Sequence, residues 1–412
     1  MKKQFAILFA SFAAALAAAA DPAVSDVSFA RDGSSRKIVV SYTLSGGSAI
    51  ITMEVQTNVS TDVWAPVGDE YARHVYGAVN RKVESGPRTL TWIPDASWPI
   101  PSLAEGKARV VVNAWATNAP PDYMTVSLTA PSNILFYASA AALPLPVTNR
   151  CWKTDWLVMR RIHAAGVKWR MGSPAGESSR TPEAETNHYV TLSKDYYIGV
   201  YPVTQMQFWH ILNWNNGWHD NGVGTQVKNA PTAQPRWLIT YDELRGTGTG
   251  YGWPTNGHAV VSTGYLGKLR AHSGQEFDLP TEAQWEYACR AGSGSAYFYG
   301  SDSSGDLARY AWYASAISAP CEVGLKEPTP WGLYDILGNV WEWCLDWYQP
   351  FDANEVSDPA GPEDPRTYRI ARGGSHISAV SQLRSAYRTV SFVSTRSATD
   401  TGFRVACPAE LK

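Results

Sequence analysis

The stretch Trp331-Gly332-Leu333-Tyr334-Asp335-Ile336-Leu337-Gly338-Asn339-Val340-Trp341-Glu342-Trp343 decides how the chain is read. Trp is costly to place, since its large ring carries an N–H that needs a partner when buried. Trp331, Trp341 and Trp343 are therefore read as core filling in a domain with few long helices. Asp335 and Glu342 flank Gly338 and Val340, and two carboxylates with intervening carbonyls form an oxygen-only set that suits a hard cation such as Ca²⁺. Local capping or pairing of Glu342 is the competing reading.

Outward from this stretch, tryptophans and Gly-rich loops are frequent from about Cys151, and helical periodicity is scarce. One helix stands out over Leu279 to Arg290. Thr281 as N-cap and Gln284 three residues on form a capping box, and Gly292 is the stop. A second is expected from Thr204 through Leu212, turning Phe208, Trp209 and Leu212 to a core. The rest reads as loops and short strands, an irregular α+β domain over residues 151–409.

Residues 24–130 read differently. Ile38 to Leu44, Ile50 to Val55 and Val110 to Val112 are apolar or β-branched runs separated by turn chemistry such as Ser45-Gly46-Gly47-Ser48. They predict a mainly β N-terminal domain, a β-sandwich of immunoglobulin or fibronectin type. His74 is its only histidine, and no catalytic constellation sits there. Residues 131–150, with Pro144 and Pro146, are expected to be a linker. Lys2 and Lys3, the apolar run Phe5 to Ala20 and its Ala-rich end have the layout of a signal peptide over residues 1–20. A membrane anchor would need ~20 apolar residues. The mature chain is expected to be exported, to a periplasm or outside the cell, without membrane insertion after signal removal.

Composition narrows the function classes. The 412 residues include 18 Trp and 5 Cys, with 35 basic and 37 acidic side chains. This balance carries no basic footprint for nucleic acid. Five cysteines are too few for a disulfide scaffold. No His-x-x-x-His-x-Glu iron site or Gly-x-Ser-x-Gly elbow is present, and the glycine run at 246, 248, 250 and 252 reads as a loop because no Lys-Ser/Thr follows it.

Six motifs fall in order: Met171-Gly172-Ser173, Tyr201-Pro202-Val203-Thr204, Leu279 to Tyr287, Trp331 to Trp343, Arg372-Gly373-Gly374-Ser375 and Gly402-Phe403-Arg404. In that order they resemble the formylglycine-generating enzyme, or sulfatase-modifying factor, family. The resemblance covers residues ~155 to ~409 and implies an elaborated C-type-lectin-like fold. It also implies one Ca²⁺ site formed by Asp335, the carbonyls of Gly338 and Val340, and Glu342. A second calcium site of some relatives needs a longer acidic loop than Ala311 to Lys326 and is not expected.

The family's chemistry, oxidation of a substrate cysteine by O₂, uses copper on two cysteines five residues apart after Gly-Gly-Ser. Ser378 and Leu383 stand at those positions, and no cysteine occurs between Cys344 and Cys407. Neither side chain replaces a thiolate on Cu(I), so copper is not expected and catalysis is the alternative reading.

The segment His376 to Thr401 lacks strand or helix periodicity and reads as exposed loop. Outside Gln382 to Ala386, Arg388 and Arg396, it contains no Lys, Glu, Met, Trp or Gln. Those types cannot be reached by mutating the first two bases of an asparagine codon. The segment resembles the variable region of diversity-generating retroelement targets. It implies a binding face for a protein or glycan ligand, with His376, Ile377, Ser378, Val380, Tyr387, Thr389, Phe392 and Asp400 as candidate contacts.

Overall fold

The computed structural model describes residues 21–411 except 34, 68–73, 99–105, 213–218, 221–225, 228–232, 247–258, 315–318, 363–365, 390–391 and 397. The signal segment and most of the glycine run lie outside the described residues.

In the N-terminal part, burial alternates along the strand Ile38–Ser45, with Ile38, Val40, Tyr42 and Leu44 inward. It pairs antiparallel with Gly86–Trp92, placing Val40 opposite Leu90. Gly46 and Gly47, both at positive φ, carry the chain into Ala49–Ser60, which belongs to another sheet. That strand pairs with Ala108–Trp115, setting Met53 opposite Val112. Residues of both sheets, among them Val40, Tyr42, Ile51, Met53, Trp92 and Val112, share one buried cluster. Period-2 patterning thus places one face of each sheet in a common core.

The boundary after this part differs from the sequence expectation. Tyr123–Ser127 and Ile134–Tyr137 fall within the predicted first domain and the predicted linker, yet both are strands of the following unit. They begin a five-stranded sheet in the order 134–137, 123–127, 156–162, 196–199, 406–408. Met124, Val126, Leu128 and Phe136 enter the same core as Tyr197, Trp343 and Phe403. The Pro-rich stretch after them is also anchored: Leu143 is buried, and the Trp152 indole donates to the Leu145 and Pro146 carbonyls. Proline spacing signalled an irregular backbone, but the apolar side chains around it still found a core.

Around that sheet stand a smaller one of 369–372, 341–347 and 401–402, and the helices Gln205–Leu212, Tyr265–Ser273 and Glu282–Arg290 with two shorter ones, Tyr241–Arg245 and Leu307–Tyr310. The expected capping box is formed: Gln284 N donates to Thr281 Oγ1 at 3.1 Å and Thr281 N donates to Gln284 Oε1 at 2.9 Å. Gln207 and Thr204 make the same reciprocal pair at 3.2 and 2.9 Å. The helix ends on Arg290 as expected, but the left-handed cap falls on Ala291 at φ 46, one residue before the expected stop Gly292, which follows at φ 88. Trp343 is fully buried and Trp341 nearly so, while Trp331 is half-buried against Tyr287, their ring centroids 5.2 Å apart.

Candidate functional site

A cavity of about 300 Å³ opens where the strand Trp341–Trp347 meets the C-terminal segment. Trp341, Tyr387 and Phe392 provide aromatic wall, with centroids 5.8 Å apart for Trp341–Tyr387 and for Trp341–Phe392. Ile377, 54% exposed, stands at the rim. Ser378, Gln382, Thr389, Arg396 and Asp400 supply polar atoms.

The polar side is wired together. Asp400 pairs with Arg396 at 3.3 Å and accepts from Ser375 Oγ at 3.2 Å. Ser375 Oγ lies 3.1 Å from Ser378 Oγ, which also accepts the Ser375 N–H at 2.9 Å. Arg396 stacks on Phe392 with its guanidinium carbon 3.9 Å from the ring centroid, a cation–π contact that fixes it at the mouth. Thr389 Oγ1 accepts the Ala371 N–H at 2.8 Å. The arrangement offers a flat aromatic surface beside hydroxyl, amide and paired charged groups, the mix found in binding pockets.

Six predicted contacts therefore converge on one cavity: Ile377, Ser378, Tyr387, Thr389, Phe392 and Asp400. The other two do not. His376 is 1% exposed, its Nδ1 lies 3.0 Å from the Asn339 carbonyl, and burial pushes its pKa below the ordinary value. Val380 sits in a short 3-10 turn, Val380–Leu383, and packs on the core under the helix Glu282–Arg290. The expectation of a uniformly exposed loop is corrected likewise, since Ser378, Thr389 and Asp400 are buried. A loop without periodicity can still be folded inward when its side chains bond to a neighbouring strand.

Leu383 is fully buried, and a Cβ added to Gly374 would lie 3.0 Å from its side chain. It fills core. All five cysteines are free thiols and none lines the cavity. Cys289, Cys344 and Cys407 are buried, and desolvation pushes the Cys289 thiol up to about 12. Such thiols are inert small hydrophobes rather than metal or redox groups.

Beneath the cavity lies a layer of buried ion pairs that the sequence reading missed. Arg388 bonds Glu282 through two nitrogens at 2.7 and 2.6 Å. Arg372 pairs with Glu286 and lies 3.3 Å from Glu282, and one of its nitrogens donates to the Tyr387 carbonyl. Arg384 bonds Glu185 at 2.8 Å through both Nη1 and Nη2. Charge-assisted pairs of this kind fix geometry, here tying Tyr387 and its neighbours to the helix Glu282–Arg290. The motif arginines and glutamates were visible as residues; only folding could say which pairs with which.

Asp346 caps this layer by accepting the Glu282 N–H at 2.8 Å. Burial, then the Glu282 carboxylate, pushes its pKa up to about 8. The folded protein thus holds a proton that the unfolded chain releases near pH 4, so Asp346 makes stability fall as pH rises from about 4 through about 8. Asp346→Asn keeps the accepting oxygen and is expected to flatten this slope by about 1–3 kcal/mol between pH ~5 and ~8. Urea denaturation of both proteins across that range measures it; parallel curves would refute it.

The predicted calcium ligands are arranged for another purpose. Glu342 is fully buried, and its two oxygens accept from Arg404 Nε and Nη2, each at 2.7 Å. The Trp285 indole adds a third bond at 2.7 Å. Asp335 Oδ2 accepts the Gly324 N–H at 2.6 Å, and Oδ1 lies 3.4 Å from Asn339 Nδ2. The Gly338 amide is engaged with the Gly373 carbonyl at 2.8 Å. With its charge met by a bidentate guanidinium, Glu342 as placed offers Ca²⁺ no unpaired charged oxygen, as in the competing reading of local pairing.

Residues 162–409 match the family model described as the sulfatase-modifying factor enzyme 1-like domain. The formylglycine-generating enzyme of Thermomonospora curvata is 30% identical over 208 residues, covering 44% of this chain and 68% of that protein. Serine/threonine-protein kinase pkn1 of Chlamydia pneumoniae is 30% identical over 245 residues, 57% of this chain but only 36% of that protein's own length. Among solved structures, Treponema denticola variable protein 1 aligns at 25% identity with a TM-score of 0.49, covering 61% of this chain and 95% of that one. The match begins at Ile162, the last residue of the strand Trp156–Ile162, runs past Ala406–Pro408 and takes in every wall of the cavity, and the chain belongs to the sulfatase-modifying factor enzyme 1-like family.

Proposed function

We propose that the protein is an exported, non-catalytic binding protein that holds a protein or glycan ligand in the cavity walled by Trp341, Tyr387 and Phe392. The observation carrying this reading is the cavity itself. It is lined by aromatic rings and polar groups, Ser378 among them, and no cysteine lines it. Aromatic wall supplies contact area at low entropy cost, and hydroxyls and Arg396 supply adaptable bonds. In this reading the N-terminal pair of sheets is an immunoglobulin-like spacer, and the segment around residues 376–401 is the diversified part of a retroelement target.

The alternative is a formylglycine-generating oxidase acting on a sulfatase cysteine, or another oxidative enzyme of the family, and its support is the similarity to enzymes of that name. The two readings separate cleanly. Incubating the protein with a Cys-x-Pro-x-Arg peptide, copper and O₂, followed by mass spectrometry, is expected to return unmodified cysteine; formylglycine would overturn the proposal. The diversification reading predicts a near-copy of the coding sequence for residues 376–401, differing at adenines and lying beside a reverse-transcriptase gene. Sequencing the locus decides it, and no such copy would remove that part.

A further inference from the structure

A second cavity, of about 510 Å³, shares no lining residue with the first and is the larger of the two. It opens at the edge where Ala406–Pro408 closes the five-stranded sheet. Leu192, Tyr196, Leu279 and Leu345, all buried, give it an apolar floor. A concave apolar site of this size with a few polar groups at its margin is what a small ligand requires. The charged groups around the floor are nearly all spent on one another. Arg161 holds Asp195 at 2.7 Å, and Arg245 holds Asp278 at 2.8 Å. Arg270 reaches Asp278 at 3.1 Å and Glu276 at 3.2 Å, and its Nε donates to the Phe277 carbonyl at 2.7 Å. On the rim Lys194 pairs with Glu410 at 3.1 Å. The start of the helix Glu282–Arg290 is equally closed to an anion: Thr281 and Gln284 bond each other, and Asp346 takes the Glu282 N–H. Asp358 is the exception. Its Oδ1 accepts the Ser193 N–H at 2.8 Å, and among the described residues no cation pairs with it.

We propose that this cavity binds a small amphipathic cation, its apolar body seated on the leucines and its one ammonium directed to Asp358. The sign follows from the pairing. Arg161, Arg245, Arg270 and Lys194 are balanced by Asp195, Asp278, Glu276 and Glu410, so Asp358 leaves the cavity one negative charge in excess. An ammonium gains a charge-assisted bond there. A carboxylate ligand would meet Asp358 as a like charge and find every cation of the wall already engaged. An uncharged ligand would cover Asp358 without replacing the water it loses. Discrimination therefore comes as much from what the site repels as from what it attracts. The site is independent of the cavity walled by Trp341, Tyr387 and Phe392 and does not rest on the function proposed for that one.

The test is calorimetric titration of the purified full chain with phenethylammonium chloride and with sodium phenylacetate, which carry the same ring and opposite charges. Saturable binding of the ammonium and none of the carboxylate is the expected result. Asp358→Asn keeps the oxygen that accepts the Ser193 N–H and is expected to weaken the ammonium about tenfold, because a bond to a charged group is lost. Glu355→Gln removes a neighbouring acid already paired with Lys168 at 2.6 Å and is expected to leave that affinity unchanged. No saturable heat with millimolar phenethylammonium, or equal affinity for phenylacetate, would overturn the proposal. So would an undiminished affinity in Asp358→Asn, or an equal weakening in both variants.

Discussion

Arg404→Met is expected to destabilise the protein by about 3–5 kcal/mol, because it strands the Glu342 carboxylate in a shell that excludes water. Both residues are fully buried, with Arg404 and Glu342 each 0% exposed. Arg404 makes two bonds to the carboxylate and further bonds to backbone carbonyls of two other segments. Its removal therefore leaves unpaired acceptors as well as a charge. Urea denaturation measures the loss as a lower midpoint with unchanged slope. The double variant Glu342→Leu/Arg404→Met is expected to recover much of it, since replacing both partners of a buried pair by apolar groups is often nearly neutral. A single variant within about 1 kcal/mol of the parent would show that water reaches the pair.

This pair also marks the limit of what was legible from sequence. Period-2 runs at Ile38 to Leu44 and Ile50 to Val55 located strands, and Thr281 with Gln284 located a helix start, because both signals are local. Six cavity residues were likewise within reach, since they lie in one stretch bounded by two glycine motifs. The partners of the motif charges were not. Glu342 finds Arg404 62 positions away, Glu282 finds Arg388 after 106, and Glu185 finds Arg384 after 199. Nothing in one sequence distinguishes a carboxylate awaiting a metal from one awaiting an arginine. The misplaced domain boundary has the same origin: Tyr123–Ser127 reads as another short strand, and only its pairing with Trp156–Ile162 assigns it. His376 failed for a related reason, because its buried bond to Asn339 crosses from one motif to another.

Gly338→Ala is expected to combine a stability loss of about 2–5 kcal/mol with loss of the cavity's shape, adding left-handed backbone strain to overpacking. Gly338 sits at φ 80, where an L-residue is strained, and an added Cβ would lie 2.2 Å from the Trp312 carbonyl oxygen. The clash is with backbone, so no rotamer change relieves it. The displacement would propagate along short bonds. Gly338 N donates to Gly373 O at 2.8 Å, Asn339 N to Trp312 O at 2.9 Å and His376 N to Asn339 O at 2.9 Å. Ser375 and Ser378 follow within the same turn, and Trp341 three residues on carries the aromatic wall. A stability loss by urea denaturation together with an altered intrinsic tryptophan emission, absent when the same substitution is made in a Trp341→Phe background, is the expected pair of results. Parental stability would mean that Trp312 yields freely and that the Trp-rich motif does not brace the site. An equal loss from Gly374→Ala, at φ 76 and with its nearest contacts to an added Cβ at 3.0 to 3.2 Å instead of 2.2 Å, would mean that general loop strain rather than this backbone contact sets the cost.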